Sequence, residues 1–272
     1  MSGEPEILIL PDAEATSSAA ADLIARRLDA AVQARGRADW ATTGGSTPLE
    51  IYRQLAASPL RERVPWDRVH IWWGDDRWVP RSDVLSNVQA CDDILLNLPG
   101  RRGSDRMGSE RGAPVPVDNV HAIPIDEALD EGRSPAWAAA TYEATLRAAG
   151  LPMAAGWPVF DLVLLGVGPD GHVLSVFPES TTWNEPAWVQ AVPAPVHIAP
   201  HVDRVTLHPA VITVARLVLA VVHGARKAEI VGTVMGPERD VRRWPAQLAR
   251  RTEATWMLDA AAAARLPEAL RG

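Results

Sequence analysis

Cysteine is almost absent from this 272-residue chain, with Cys91 the only one. No disulfide can form within it, and no cysteine-rich metal site can be built. Lysine is equally scarce: of 27 basic residues, all but Lys227 are arginine. No apolar run is long enough to span a bilayer. The opening Met1-Ser2-Gly3-Glu4-Pro5-Glu6 lacks the basic-then-apolar pattern of a secretory leader. These absences lead to the expectation of a soluble, cytoplasmic protein with no membrane partner. A net charge of −7 argues against nucleic acid as a partner, although it leaves room for a local basic pocket. Several signatures are missing as well: no Walker loop, dinucleotide fingerprint, Gly-x-Ser-x-Gly elbow, His-Glu-x-x-His pair or helix-turn-helix is evident. The sequence therefore requires neither a metal nor a cofactor.

What is present alternates between strand-like and helix-like segments. Glu6–Leu10 reads as a first strand, and Asp12 caps a long helix through Ala20, Leu23, Leu28 and Val32. Further strands are expected at 39–42, 69–73, 160–165, 203–207, 217–222 and 254–258. Helices are expected after Pro48, over 87–96, over 135–149 and from Ala228 to Met235. Such alternation predicts one α/β domain over 1–272, an open, doubly wound, mostly parallel sheet with helices on both faces. The stretch 100–118, rich in Gly, Arg, Ser and Pro, reads as a mobile surface excursion, with a lid as the alternative.

Three predicted strand ends carry unusual turns. The strand 160–165 runs into Gly166-Val167-Gly168-Pro169-Asp170-Gly171-His172, at the sheet edge where open α/β proteins bind ligands. Asp170 stands two residues before His172 and can fix its tautomer, which suits a general base. The other six histidines, His70, His121, His197, His201, His208 and His223, read as structural or solvated. At a second turn, Thr43-Gly44-Gly45-Ser46-Thr47 precedes a Pro-started helix. Its free N–H groups, hydroxyls and helix dipole favour a phosphate, although Gly-Gly-Ser also occurs in plain turns. At the third, Asp75, Asp76 and Arg77 follow a tryptophan-rich strand. A surface salt bridge is the plain interpretation; flanking Trp72, Trp73 and Trp78 favour instead an arginine that stabilises charge on a carbonyl oxygen. Lys227 sits where a strand turns into a helix, in a chain that has replaced every other lysine. A compact ammonium facing an anion accounts for its retention.

Gly44-Gly45-Ser46-Thr47-Pro48, the run from Gly74 to Pro80 with Ser86-Asn87, the run from Gly166 to His172 with Phe177-Pro178, and Ala225 to Glu229 resemble the successive motifs of the 6-phosphogluconolactonases, in that family's order. The resemblance implies a fold like that of glucosamine-6-phosphate deaminase. It also implies hydrolysis of 6-phospho-D-glucono-1,5-lactone to 6-phospho-D-gluconate in the oxidative pentose phosphate pathway, with a phosphosugar lactone as the partner and no cofactor. On this resemblance His172 is the base, with Asp170 beside it. Gly44, Gly45, Ser46, Gly168, Arg204 and Lys227 belong to the substrate and phosphate site, and Asp75, Arg77 and Asn87 line the sugar and carbonyl end. Asp76 stands where the family usually has Glu, and Arg226 where Gly is common. Residues 173–176, Val-Leu-Ser-Val, replace a more usual Thr-Ala-Ser-Leu.

Two other readings are distinguishable. Sugar-phosphate isomerases and deaminases share the Asp-Gly-His turn but carry a Glu five residues past the His, where this chain has Phe177. An apolar ring cannot shuttle protons. A non-catalytic sugar-phosphate sensor would need no His172 and usually comes fused to a helix-turn-helix.

Overall fold

The structure, a computed structural model, describes residues 3–96 and 112–271. In chain order the first half comprises β1 (Glu6–Leu10), α1 (Ala13–Arg35), β2 (Ala38–Thr42), α2 (Thr47–Ala56), α3 (Leu60–Arg63), β3 (Val69–Trp73), β4 (Asp75–Arg77), β5 (Val120–His121), α4 (Ile125–Asp130) and α5 (Pro135–Ala148). The second half comprises β6 (Met153–Ala154), β7 (Trp157–Pro158), β8 (Leu162–Leu165), β9 (Val189–Val192), β10 (Arg204–Leu207), α6 (Ala210–Val214), β11 (Val218–Val222), α7 (Ala228–Val234) and β12 (Ala254–Asp259).

Local chemistry sets the boundaries. Asp12 takes the N-cap of α1, its Oδ1 accepting the Ala15 N–H at 2.8 Å, and Gly36 ends the helix with φ of 74°. β8 and β11 are apolar and buried along their whole length, as strands covered on both faces must be. Seven strands form one parallel sheet in the order β1-β12-β11-β8-β2-β3-β5. From β2 the chain proceeds outward through β3 to β5. It then returns to lay β8 on the other side of β2. The strand order therefore reverses between β2 and β8, and the crevice at their carboxyl ends is the place for a ligand.

Two expectations are corrected. Residues 203–207 do form a strand, but β10 lies outside the main sheet, between β4 and β9 in a small antiparallel sheet. The chain bends at Gly74 after β3, so Asp75–Arg77 pair with β10 instead of forming a plain turn. The helix expected over 87–96 is present in shorter form: the Asp92 N–H bonds the Val88 carbonyl, and the helix widens over Cys91–Leu95, where the Leu96 N–H reaches the Cys91 carbonyl. The Asp76 carboxylate accepts the Asn87 N–H at 2.7 Å, at the end of the helix where backbone N–H groups have no partner within it. The surface excursion expected over 100–118 lies, from 100 to 111, outside the described residues. Among the described residues no helix is long and apolar enough to cross a membrane.

Tryptophan fills the interior: Trp40, Trp66, Trp72, Trp73 and Trp256 are fully buried. A buried indole usually finds a partner for its N–H; among the described residues Trp40 Nε1 has none, whereas the others do. Trp72 donates to Asp39 Oδ1 at 2.9 Å, Trp256 to the Ala249 carbonyl at 2.9 Å, and Trp73 to the Asn87 carbonyl at 3.1 Å. The last of these ties the core to the crevice.

Acid should loosen this packing at His208, which is 7% exposed and stacked on Trp157 at 4.1 Å. Its Nδ1 accepts the Ala210 N–H at 3.0 Å, so the folded ring must be neutral. Burial lowers its pKa to about 4. Between about pH 6.5 and 4 the unfolded chain takes up a proton that the folded chain refuses, and stability falls as pH falls. His208→Asn keeps an acceptor for Ala210 and cannot titrate. Relative to wild type it should gain roughly 1–3 kcal/mol between pH 7 and 4.5 in urea unfolding. Parallel stability curves for the two proteins would refute this.

Candidate active site

The β2–α2 turn brings backbone donors to the crevice. Gly45 has φ of +75°, and Gly44 has no room for a side chain, since a Cβ there would lie 1.9 Å from Asn87 Oδ1. Pro48 stands in the first turn of α2, and the Ser46 side chain makes no capping bond. The helix N-terminus thus keeps its positive end and a free hydroxyl.

Beyond β3, the carboxylates of Asp75 and Asp76 point to different tasks. Asp75, 3% exposed, accepts from Ser175 Oγ at 2.5 Å and from Asn87 Nδ2 at 3.2 Å. Asp76, 2% exposed, accepts the N–H groups of Arg77 at 2.8 Å and Asn87 at 2.7 Å, and the Ser86 hydroxyl at 3.3 Å. Burial pushes Asp76 up to about 7, against the pull of those backbone donors. It brackets the backbone of two residues that face the crevice.

After β8, the Gly168–His172 turn closes on itself through Gly168 N–H to the His172 carbonyl, at 2.9 Å. His172 Nδ1 lies 2.5 Å from Asp170 Oδ1. A carboxylate only accepts, so Nδ1 carries the proton and Nε2 of the neutral ring keeps its lone pair. Among the described residues, Nε2 makes no hydrogen bond. Burial alone would raise the Asp170 carboxyl; the hydrogen bonds and charge of His172, with the bond from His197, outweigh it and hold the carboxyl well below its usual range. Lys227 Nζ donates to the Val167 carbonyl at 2.5 Å, which anchors the ammonium beside the same turn. Its pKa is lowered by burial and by Arg226, with Asp170 opposing.

These parts surround a cavity of about 220 Å³. Gly44, Gly45, Ser46, Asp75, Arg77, Asn87, Gly168, His172, Arg204 and Lys227 all line it, as do Thr43, Thr47 and the Ile198–Ala199–Pro200 segment. Asp170 stands behind His172, off the wall. Arg77 and Arg204 are direct cross-strand partners in the β4–β10 pair, where like charges repel. Among the described residues neither pairs with a carboxylate: Arg77 Nη1 donates to the Leu85 carbonyl at 2.8 Å and Arg204 Nη2 to the Pro200 carbonyl at 3.0 Å. Among the described residues the buried Nε of each has no partner, nor has Asn87 Oδ1. Two adjacent guanidiniums with unspent donors call for an anion or a developing negative charge. Among the described residues, no three His, Cys, Asp or Glu side chains gather as a metal site.

A family model described as glucosamine-6-phosphate isomerases/6-phosphogluconolactonase matches residues 11–257. The chain belongs to this family. A 6-phosphogluconolactonase of Nostoc sp. is 34% identical over 95% of this chain and 97% of its own length. One from Streptomyces coelicolor is 32% identical over 99% and 98%. The solved structure of 6-phosphogluconolactonase from Trypanosoma brucei superposes with a TM-score of 0.79 at 26% identity, covering 98% of this chain and all of that one (100%). A monomeric glucosamine-6-phosphate deaminase shares the fold, with a TM-score of 0.73 at 18% identity over 96% of this chain and 99% of that one.

Two members of the arrangement escaped the sequence reading. Ser175 supplies the hydroxyl that fills Asp75 Oδ2, and His197, expected to be structural or solvated, places Nε2 2.9 Å from Asp170 Oδ2. Neither spacing has a local signature, since both contacts join segments far apart in the chain.

The geometry around Gly168 makes a direct test. A Cβ there would lie 2.0 Å from His172 Nδ1 and 2.7 Å from Asp170 Oδ1. Gly168→Ala should therefore displace the imidazole and cut turnover about 100-fold while the protein stays folded by circular dichroism. Activity within threefold of wild type would show that the ring position is not critical.

Proposed function

We propose that this chain hydrolyses 6-phospho-D-glucono-1,5-lactone to 6-phospho-D-gluconate, with His172 as the general base. One observation carries the assignment of roles: the unoccupied Nε2 of an Asp-paired histidine faces a cavity lined by Arg77, Arg204 and Lys227. Family membership supplies the substrate.

In this reading the phosphate lies at the N-terminus of α2, against Gly45, Ser46, Lys227 and Arg204. There, helix dipole and fixed cations favour a dianion. Asn87 and Arg77 then face the lactone ring. His172 Nε2 takes a proton from water as its oxygen bonds to the lactone carbonyl carbon. The imidazolium so formed is stabilised by the Asp170 carboxylate on Nδ1. The carbonyl oxygen becomes an oxyanion beside the Arg77 guanidinium, which needs no reorganisation to receive it. Collapse breaks the bond from that carbon to the ring oxygen. The ring oxygen takes the proton back from Nε2, which leaves the open-chain acid. Asp75, whose oxygens are already occupied by Ser175 and Asn87, supports the wall. An isomerase or deaminase would need an acid near Phe177. That ring instead lies 7% exposed and 4.7 Å from the His172 ring, closing off the position.

The test compares wild type, His172→Ala and Lys227→Arg on lactone generated in situ, corrected for spontaneous hydrolysis. His172→Ala should lose about 10²–10⁴ in kcat and still bind phosphosugar. Lys227→Arg should raise KM about tenfold, because a planar guanidinium cannot follow the ammonium to the Val167 carbonyl and the phosphate together. Wild type that does not exceed the spontaneous rate would overturn the reading. A silent Lys227→Arg would remove Lys227 from the phosphate site.

A further inference from the structure

His197 lies on the loop between β9 and β10, outside every motif by which the chain was read. Asp170 Oδ1 receives two bonds from His172, the ring Nδ1 at 2.5 Å and the backbone N–H at 3.2 Å. Asp170 Oδ2 receives one, from His197 Nε2 at 2.9 Å. The torsion that turns a carboxylate plane is broad and roughly two-fold. Bonds to one oxygen therefore leave the plane free to tilt about the contact, and a donor on the other oxygen stops the tilt. Lys227 and Arg204 act on Asp170 through their charge, but they donate to the Val167 and Pro200 carbonyls. Phe177 fills the space between the two imidazoles, 4.7 Å from the His172 ring and 5.6 Å, edge-on, from that of His197.

His197 also begins the segment that roofs the cavity, since Ile198, Ala199 and Pro200 follow it and line the wall. Arg204 holds the far end of this segment through the Pro200 carbonyl. The near end is held by Asp170. The same carboxylate thus orients the imidazole on one side and secures the roof on the other.

We infer that His197 is a positioning residue: by donating from Nε2 to Asp170 Oδ2 it sets the carboxylate plane that aims His172, and it joins that alignment to closure of the 198–200 roof. The inference rests on His172 acting as the base of the proposed hydrolysis. It adds a residue to the working site that the motifs of the chain do not contain.

The side chain of His197 is 48% exposed, so its removal opens no core cavity and the full-length variants should fold. His197→Ala removes the donor, and His197→Gln restores an N–H at a similar reach. Two readouts are taken on each protein: kcat and KM for the lactone, and the downfield proton resonance of the His172 Nδ1–H, which so short a bond to a carboxylate should produce. His197→Ala should lower kcat about five- to twentyfold, raise KM by a smaller factor, and shift or broaden the resonance. His197→Gln should return both readouts to within about twofold of wild type. An unchanged kcat and resonance in His197→Ala would overturn the inference, as would losses that His197→Gln fails to restore. If wild type lacks lactone hydrolysis while the resonance responds to both variants as described, the proposed reaction fails and the positioning role stands.

Discussion

A buried carboxylate, that of Asp75, is the point on which the site depends. It lies at the start of β4, 3% exposed, where an unpartnered charge would be costly. Its partners come from elsewhere: Ser175 Oγ from the turn after His172, and Asn87 Nδ2 from the segment after β4. Each of these segments supplies a wall of the cavity. The carboxylate is satisfied only when both are in place, so desolvation at one atom group enforces the arrangement of the rest. Leu174 shows what that enforcement requires. Its φ of +55° is unusual for a branched residue, and the neighbours that hold it there are Gly74, which leaves room for its side chain, and Ser175, which the same bend delivers to Asp75.

Charge follows a similar logic of long-range supply. The chain is acidic overall, with a net charge of −7, yet its crevice gathers Arg77, Arg204 and Lys227. Their partners within the protein are mainly carbonyl oxygens, which orient a cation without neutralising it. Arg77 and Arg204 stand opposite each other only because β10 lies outside the main sheet and pairs with β4. That small antiparallel sheet is therefore as important to the site as the parallel one that carries the strand ends.

The position of Phe177 bears on which of the two chemistries named in the family's description the crevice suits. An apolar ring packed against both His172 and His197 leaves no acid at position 177 itself. A lactone is already cyclic and electrophilic, so one base and a cationic pocket suffice for its hydrolysis.

By itself the sequence determined the parallel strands other than β5, and the glycine turns after β2 and β8. Short apolar runs such as 162–165 and 218–222 are stable only between two covered faces, and glycines with Asp170, His172 or Ser46 at their ends announce close backbone approach. It also singled out Lys227, because a chain that uses arginine everywhere else exposes the one position where an ammonium is kept. Only the tertiary structure decided the rest. Residues 87–96 look helical in isolation and are so from 89 to 95, but the widening over Cys91–Leu95 has no local mark. Strand 204–207 is visible as a strand, yet its pairing with Asp75–Arg77 is set by the bend at Gly74. His197 and Ser175 carry no local mark at all. A hydrogen bond between distant segments depends on where the folded chain brings them, and periodicity and spacing report only on neighbours along the chain.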